Sequence, residues 1–241
     1  MARTKEFDPG RALHRAISVF SQKGFAATST DELMRAMEVG RQSMYDTFGD
    51  KRALFLKALG VYVSENVRAI NAELRAPGSP LAAIRNALVH FSERKDLSST
   101  DGCMGINAIC EFGMRDEDVT RITRRAANVQ RHTLMDTLRR AQKEGDLAAR
   151  TDIDSLADFF ESTLAGIRIA AKAGKTRPAL RRIAEVASGT FALRCGVRTA
   201  NDLMDPNTGI TSAGLTGVIT AMDTPIPRVR WGRRFRLPSS Q

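Results

Sequence analysis

The sequence predicts an all-α protein, on three observations. Apolar residues return at three- and four-residue intervals from Ala12 to Phe191, the spacing of one helical face. Helix-starting residues such as Asp8, Ser29, Asp50 and Asp152, and helix-ending glycines such as Gly24, Gly145 and Gly174, bracket those stretches. Aromatic residues make up 6% against 42% hydrophobic overall, so aliphatic and Ala side chains dominate, which favours packed helices over sheet.

In chain order, Asp8 can cap a helix whose first residue is Pro9, where the missing N–H is no loss. Ala12, Leu13, Ala16, Ile17 and Phe20 share its inner face, and Gly24 ends it after Lys23. Ser29 and Glu32 form a capping box for a second helix, in which Leu33, Ala36 and Met37 face inward. Glu38-Val39-Gly40 then breaks the chain, with Val39 as a buried pivot. A short third helix runs from Arg41 to about Thr47, anchored by Met44 and Phe48. Asp50 opens a longer one, through Leu54, Phe55, Ala58, Leu59, Val61 and Tyr62 to about Leu74, which the Pro- and Gly-rich residues 76–80 interrupt. Further periodic segments cover Leu81 to Phe91, Gly105 to Phe112 and Glu117 to Lys143, the last ended by Gly145. Asp152 caps a helix from Ile153 to Ala173, closed by Gly174, and Pro178 opens a final one to about Leu193.

Two short helices joined by a tight turn and followed by a third at Asp50 are how a protein holds a short helix against DNA. With Met44 and Phe48 turned inward, Arg41, Gln42, Ser43, Tyr45 and Thr47 are left outward, with Asp46 beside them. Arg pairs with guanine O6 and N7, Gln with adenine N6 and N7, and hydroxyls reach phosphates or base edges. Lys51 follows Asp50, which is expected to cap the next helix, so a phosphate there meets an ammonium and the positive end of a helix. The alternative is an ordinary amphipathic helix with a polar face.

The net charge of +10 suits a polyanionic partner, yet it is spread: +3 over residues 1–60, +4 over 61–195 and +3 over 196–241. Charge alone does not find a DNA-binding domain here. No run of about eighteen apolar residues exists, and the N-terminus has no apolar core of a secretory signal, so no membrane partner and a cytoplasmic protein are expected. Cys103, Cys110 and Cys195 are spaced unlike a zinc site, and no metal or cofactor is expected. Incidental thiols are the plain reading; a redox sensor is the alternative, since Cys103 and Cys110 would share a face if their segment were helical throughout. His14, His90 and His132 stand isolated on predicted helices, and no hydrolase, metalloprotease, Walker or dinucleotide motif occurs, so no catalytic residue is expected.

Residues 9–60 resemble the DNA-binding domain of TetR-family transcriptional regulators. The resemblance lies in Gly24-Phe25, Thr28-Ser29, Glu32-Leu33, Val39, Met44-Tyr45, Phe48, Lys51 and Leu54, which fix the register over some thirty residues. It implies that Ser29, Tyr45 and Lys51 hold phosphates while Arg41, Gln42, Ser43 and Thr47 approach the major groove. Glu38 stands where the family usually has Gly, at a modest strain cost if that backbone is left-handed.

The resemblance also implies two regions, a helix-turn-helix head over 1–60 and a helical ligand-binding and dimerisation domain over 61–195, and it stops near Leu193. Over 196–241 Gly, Thr, Pro and Asn accumulate and periodicity fades, so this tail reads as mostly disordered. Gly102-Cys103, Asn107 and Glu111 match a Gly-Cys-x-x-x-Asn-x-x-x-Glu pattern of one branch of the family. Their polar groups form either a small-molecule pocket or a set of interhelical hydrogen bonds, with Phe91, Met104, Phe112, Phe159 and Thr163 as candidate walls. The last two helices carry broad apolar faces, Leu156 to Ala171 and Leu180 to Phe191, which two subunits would bury as a four-helix interface, as the resembled family does; their use in a monomeric core is the alternative. The implied function is a dimeric, ligand-responsive repressor on a double-stranded, palindromic operator, against a redox-responsive regulator or a helical enzyme without a recognisable motif. In the tail, Trp231 and Phe235 among Arg residues suit nucleic-acid stacking, but an unselected extension is the stronger reading.

Overall fold

The computed structural model describes residues 7–94, 97 and 102–193, and these carry nine helices and no strand. They are α1 (Pro9–Lys23), α2 (Thr30–Met37), α3 (Arg41–Phe48), α4 (Lys51–Leu74), α5 (Pro80–Ser92), α6 (Met104–Phe112), α7 (Glu117–Glu144), α8 (Ile153–Lys172) and α9 (Arg177–Leu193). Cys195 and the tail with Trp231 and Phe235 lie outside the described residues. Among the described residues, no helix is long and apolar enough to cross a membrane.

The starts follow the capping residues in the sequence. Asp8 Oδ1 accepts from the N–H groups of Gly10 at 2.8 Å and Arg11 at 3.3 Å, Ser29 Oγ from Glu32 N at 3.2 Å, and Asp50 Oδ1 from Ala53 N at 2.7 Å. Each satisfies a donor that the first helical turn leaves without an intrahelical partner. The Glu32 carboxylate also pairs with Lys23 Nζ, whose hydrogen bond is the main cause holding that carboxyl below its ordinary range.

Glu38 has φ 58° and ψ 42°, the one non-glycine with positive φ among the described residues. A left-handed L-residue costs about 1–2 kcal/mol, which the exposed pair between Glu38 and Arg15 Nη1 at 2.7 Å only partly offsets. Glu38→Gly is therefore expected to raise stability by about 0.5–1 kcal/mol, read as an upward shift of the thermal midpoint. An unchanged or lowered midpoint would show that the ion pair outweighs the strain.

Two buried clusters organise the chain. The first gathers Phe20, Leu33, Met44, Leu54, Phe55 and Leu59 from α1–α4, and α6 joins it through Met104 and Ala108. Its centre is aromatic: Phe55 lies 5.1 Å from the rings of Phe20 and Phe25 and 5.4 Å from Phe112. The second surrounds Leu74, Ile84, Leu88, Leu138, Phe160 and Phe191, where the C-terminal half of α4 meets α5, α7, α8 and α9. A single helix, α4, thus enters both cores and runs unbroken across position 60.

Candidate nucleic-acid interface

The short helix α3 is pinned by Met44, which is fully buried, and by Phe48. At 3.6 residues per turn, two anchors four apart fix one face and turn the rest outward. Arg41, Gln42, Tyr45 and Asp46 are exposed, and Ser43 and Thr47 are half-buried at its margins. The exposed side chains are already oriented. Arg41 Nη2 donates to Asp31 Oδ1 of α2 at 2.8 Å, and Gln42 Nε2 to Asp46 Oδ1 at 2.8 Å. Ser29 caps α2, and Lys51 opens α4 with its ammonium 4.4 Å from the centroid of the Phe25 ring. Two helix N-termini and one polar helix face therefore belong to the same small core, an arrangement suited to phosphates at the ends and base edges between them.

Helix α6 fastens this head to the rest of the chain. The Glu111 carboxylate accepts from Phe25 N at 2.9 Å and Ala26 N at 2.8 Å, in the loop between α1 and α2. Asn107 Nδ2 donates to the carbonyls of Phe20 at 3.3 Å and Ser21 at 2.8 Å, and its Oδ1 accepts from Lys172 of α8. Asn107 thus bonds across to α1 and α8, and Glu111 to the loop that follows α1. A second tie joins the starts of α4 and α7. Arg52 donates to Asp116 at 2.6 Å and to Asp118 at 2.9 Å, and the hydrogen bond to Arg52 is the first cause holding the Asp116 carboxyl down at about 2.

The eight residues expected around one pocket are divided among several places. Met104 and Phe112 pack into the head core, Asn107 and Glu111 bind the end of α1 and the loop after it, and Phe91 is buried in the larger core. Phe159 lies partly exposed against Phe191, and Thr163 beside it lines an outer groove of α8 and α9. Sequence spacing gave these residues suitable chemistry but carried no information on which core each would join.

Cys103 is the N-cap of α6, buried, with Tyr62 Oη at 3.2 Å and Arg168 Nη1 at 3.3 Å from its sulfur. Burial pushes this thiol up, but the Arg168 charge and the surrounding donors outweigh it and leave it below its ordinary value. Cys110 is exposed, and both thiols are free. The two-cysteine redox alternative is not favoured by this placement. Seven positions along a helix span about 10 Å, beyond the roughly 7 Å limit for a disulfide, and the two thiols have opposite environments.

The three histidines are surface residues facing carboxylates, His14 with Glu65, His90 with Glu73 and His132 with Asp136. Among the described residues, no group of three His, Cys, Asp or Glu is placed to hold a metal ion.

Residues 12–58 match the family model of bacterial regulatory proteins of the tetR family, and residues 78–187 match the tetracyclin repressor-like C-terminal domain. An uncharacterised HTH-type transcriptional regulator of Bacillus subtilis (strain 168), YezE, is 34% identical over 174 residues, covering 71% of this chain and 90% of that protein. The chain belongs to the TetR family. It is a helix-turn-helix transcriptional regulator of that family.

The HTH-type transcriptional repressor ComR of Escherichia coli (strain K12) is 28% identical to this TetR-family chain, covering 79% of it and 90% of ComR. A solved structure of a cysteine mutant of the TetR-family regulator CifR, complexed with 26-base-pair double-strand operator DNA, aligns with a TM-score of 0.63 at 29% identity. That alignment covers 78% of this chain and 98% of CifR. What the sequence missed in this TetR-family chain is the support around α3. Asp31 beneath Arg41, Phe25 beneath Lys51 and the Arg52 tie to α7 each needed a partner brought in by folding. A usable signal existed only for Asp31, an acid opening a helix ten positions before an exposed Arg.

Proposed function

We propose that this regulator binds a palindromic operator as a homodimer and represses transcription until a small molecule alters its grip. The observation that carries the reading is α3: an eight-residue helix clamped by Met44 and Phe48, presenting Arg41, Gln42 and Tyr45 to solvent between the N-termini of α2 and α4. Operator DNA on CifR supports it by likeness. In this reading, residues 1–60 are the DNA reader, residues 61–195 the regulatory and dimerisation part, and no step is catalytic. The protein acts on DNA in the cytoplasm.

Ser29, Tyr45 and Lys51 hold phosphates, while Arg41, Gln42, Ser43 and Thr47 face the major groove. Asp31 holds the Arg41 fork in place before DNA arrives, which lowers the ordering cost of a bidentate guanine contact. One short helix covers few base pairs, so specificity requires a second copy at a fixed spacing. The exposed strip of α8 and α9 provides the contact between copies. Any displacement of α6 or α7 changes the distance between the two reading helices, because Glu111 and Asn107 tie α6 to the head and Arg52 ties the start of α7 to it.

The test is selection of bound fragments from random duplex, followed by titration of variants. Lys51→Ala and Tyr45→Phe are expected to weaken selected and random duplex alike, Lys51→Ala also lowering the salt slope by about 1. Arg41→Ala is expected to cost about 1–3 kcal/mol on the selected duplex only, relaxing preference at one base position, and Gln42→Ala to do the same at another. Unchanged preference in both would remove α3 from base readout.

A further inference from the structure

A cavity of about 740 Å³ opens between α4 and α7, away from every residue the sequence suggested for a ligand. Its volume falls within the range of small-molecule sites. The walls are aliphatic, with Val63 and Val67 on α4 facing Ile122 and Val129 on α7. Its charged lining is one-sided. Lys57 and Arg68 from α4, Arg75 just past its end and Arg125 from α7 border it, against a single carboxylate, Glu65, which pairs with His14 at 3.1 Å. Arg75 is partly engaged through Thr133 Oγ1 at 3.1 Å, but Arg68 and Arg125 have no ion-pair partner among the described residues. Charge of one sign beside apolar walls, left uncompensated by the protein, raises the local concentration of an anion and gives it a place to bury its body.

The floor is incomplete in a way that favours opening. Asn71 is 4% exposed, its Nδ2 reaches the Val129 carbonyl only at 3.5 Å, and its Oδ1 is buried with no hydrogen-bond partner. A buried acceptor left unpaired destabilises the seam it sits in. A guest that parts the helices there meets an unused carbonyl as well as the guanidinium groups.

From this geometry we infer that the groove between α4 and α7 binds a small amphipathic monoanion, a carboxylate or comparable acid on an apolar body, with the acid group held between Arg68 and Arg125. The inference rests on the regulator reading for its consequence and deepens it by naming the place and chemistry of the effector. Helix α4 carries Lys51 at its first position, and Arg52 ties that end to the start of α7, so a guest between the two helices acts on the head through both.

Octanoate is the probe, with octan-1-ol as its uncharged counterpart, titrated calorimetrically into the full chain. Octanoate is expected to bind at least tenfold more tightly than octan-1-ol. The double variant Arg68→Gln with Arg125→Gln is expected to remove that preference while leaving octan-1-ol binding intact. Ala126→Trp, which fills the cavity from α7, is expected to abolish both, with a thermal transition like that of the parent chain. Failure to bind octanoate, equal affinity for the two probes, or octanoate affinity unmoved by the double variant would each overturn the assignment. A gel shift of the ligand-free chain on selected duplex tests the regulator reading separately. Octanoate binding without duplex binding leaves the groove standing and removes the regulator, and the opposite pair of results does the reverse.

Discussion

Gly102→Ala is expected to lower stability by about 3 kcal/mol and the thermal midpoint by roughly 6–12 °C. Gly102 has φ +59°, and a Cβ built on it would stand 2.0 Å from the carbonyl oxygen of Ser21 and 2.8 Å from that carbonyl carbon. Those atoms are backbone at the end of α1, the same carbonyl that accepts from Asn107 Nδ2. Relief therefore requires moving α6 away from α1, which stretches the Asn107 and Glu111 bonds together. The left-handed backbone alone accounts for about 1–2 kcal/mol of the loss, and the displaced helix for the remainder.

Gly174→Ala separates the two contributions, because Gly174 also has positive φ, +85°, but a Cβ there meets nothing within 4 Å. It is expected to cost only about 1–2 kcal/mol. Melting both variants by circular dichroism decides the matter. Equal losses would mean that the close approach of α6 to α1 contributes nothing, and the tie between head and body would lose its main structural support.

Val186→Arg is expected to convert the protein to a monomer, with subunit dissociation increased by two orders of magnitude or more, and to abolish tight operator binding with it. Val186 is 75% exposed on α9, and the groove beside it is shaped by Phe159, Thr163 and Ile183, with Ile169 exposed elsewhere on α8. An exposed apolar strip continuous over two helices is what a subunit contact requires. The groove already contains Lys175 and Arg182 and no carboxylate, so a new guanidinium finds repulsion rather than a partner. Breaking burial with one unpaired charge costs about 3–5 kcal/mol, and a two-fold interface carries the substitution twice. Sedimentation at micromolar concentration provides the readout. A variant that stays dimeric would move the subunit contact off this strip.

Much of the local structure was legible from the sequence because it depends on neighbours in the chain. Asp8, Ser29 and Asp50 cap α1, α2 and α4 as their chemistry requires, and Met44 and Phe48, four apart, orient α3 wherever that helix is placed. At Glu38 the sequence showed only a break and, through the resemblance, a residue where Gly is usual; that its backbone is left-handed came from the structure. The broad apolar faces of α8 and α9 were visible too, but not how each is divided between the subunit's own core and a second copy. Leu156, Phe160, Leu164, Ile167, Leu180, Ala184 and Phe191 are buried within one subunit, which leaves a narrower strip around Phe159, Ile183 and Val186 for a second copy. A face wider than half a helix can serve two neighbours, and periodicity does not say how it is divided.

The sequence by itself determined where helices start and stop, which face of each is apolar, and that α3 turns Arg41, Gln42 and Tyr45 outward. These follow from caps, breakers and a 3.6-residue period, all of which act over a few positions. Only the tertiary structure decided that α6 belongs to the head, that Glu111 binds the N–H groups at positions 25 and 26, and that an open groove lies between α4 and α7. Those depend on contacts between residues far apart in the chain, and no local propensity encodes which distant surface a helix will meet.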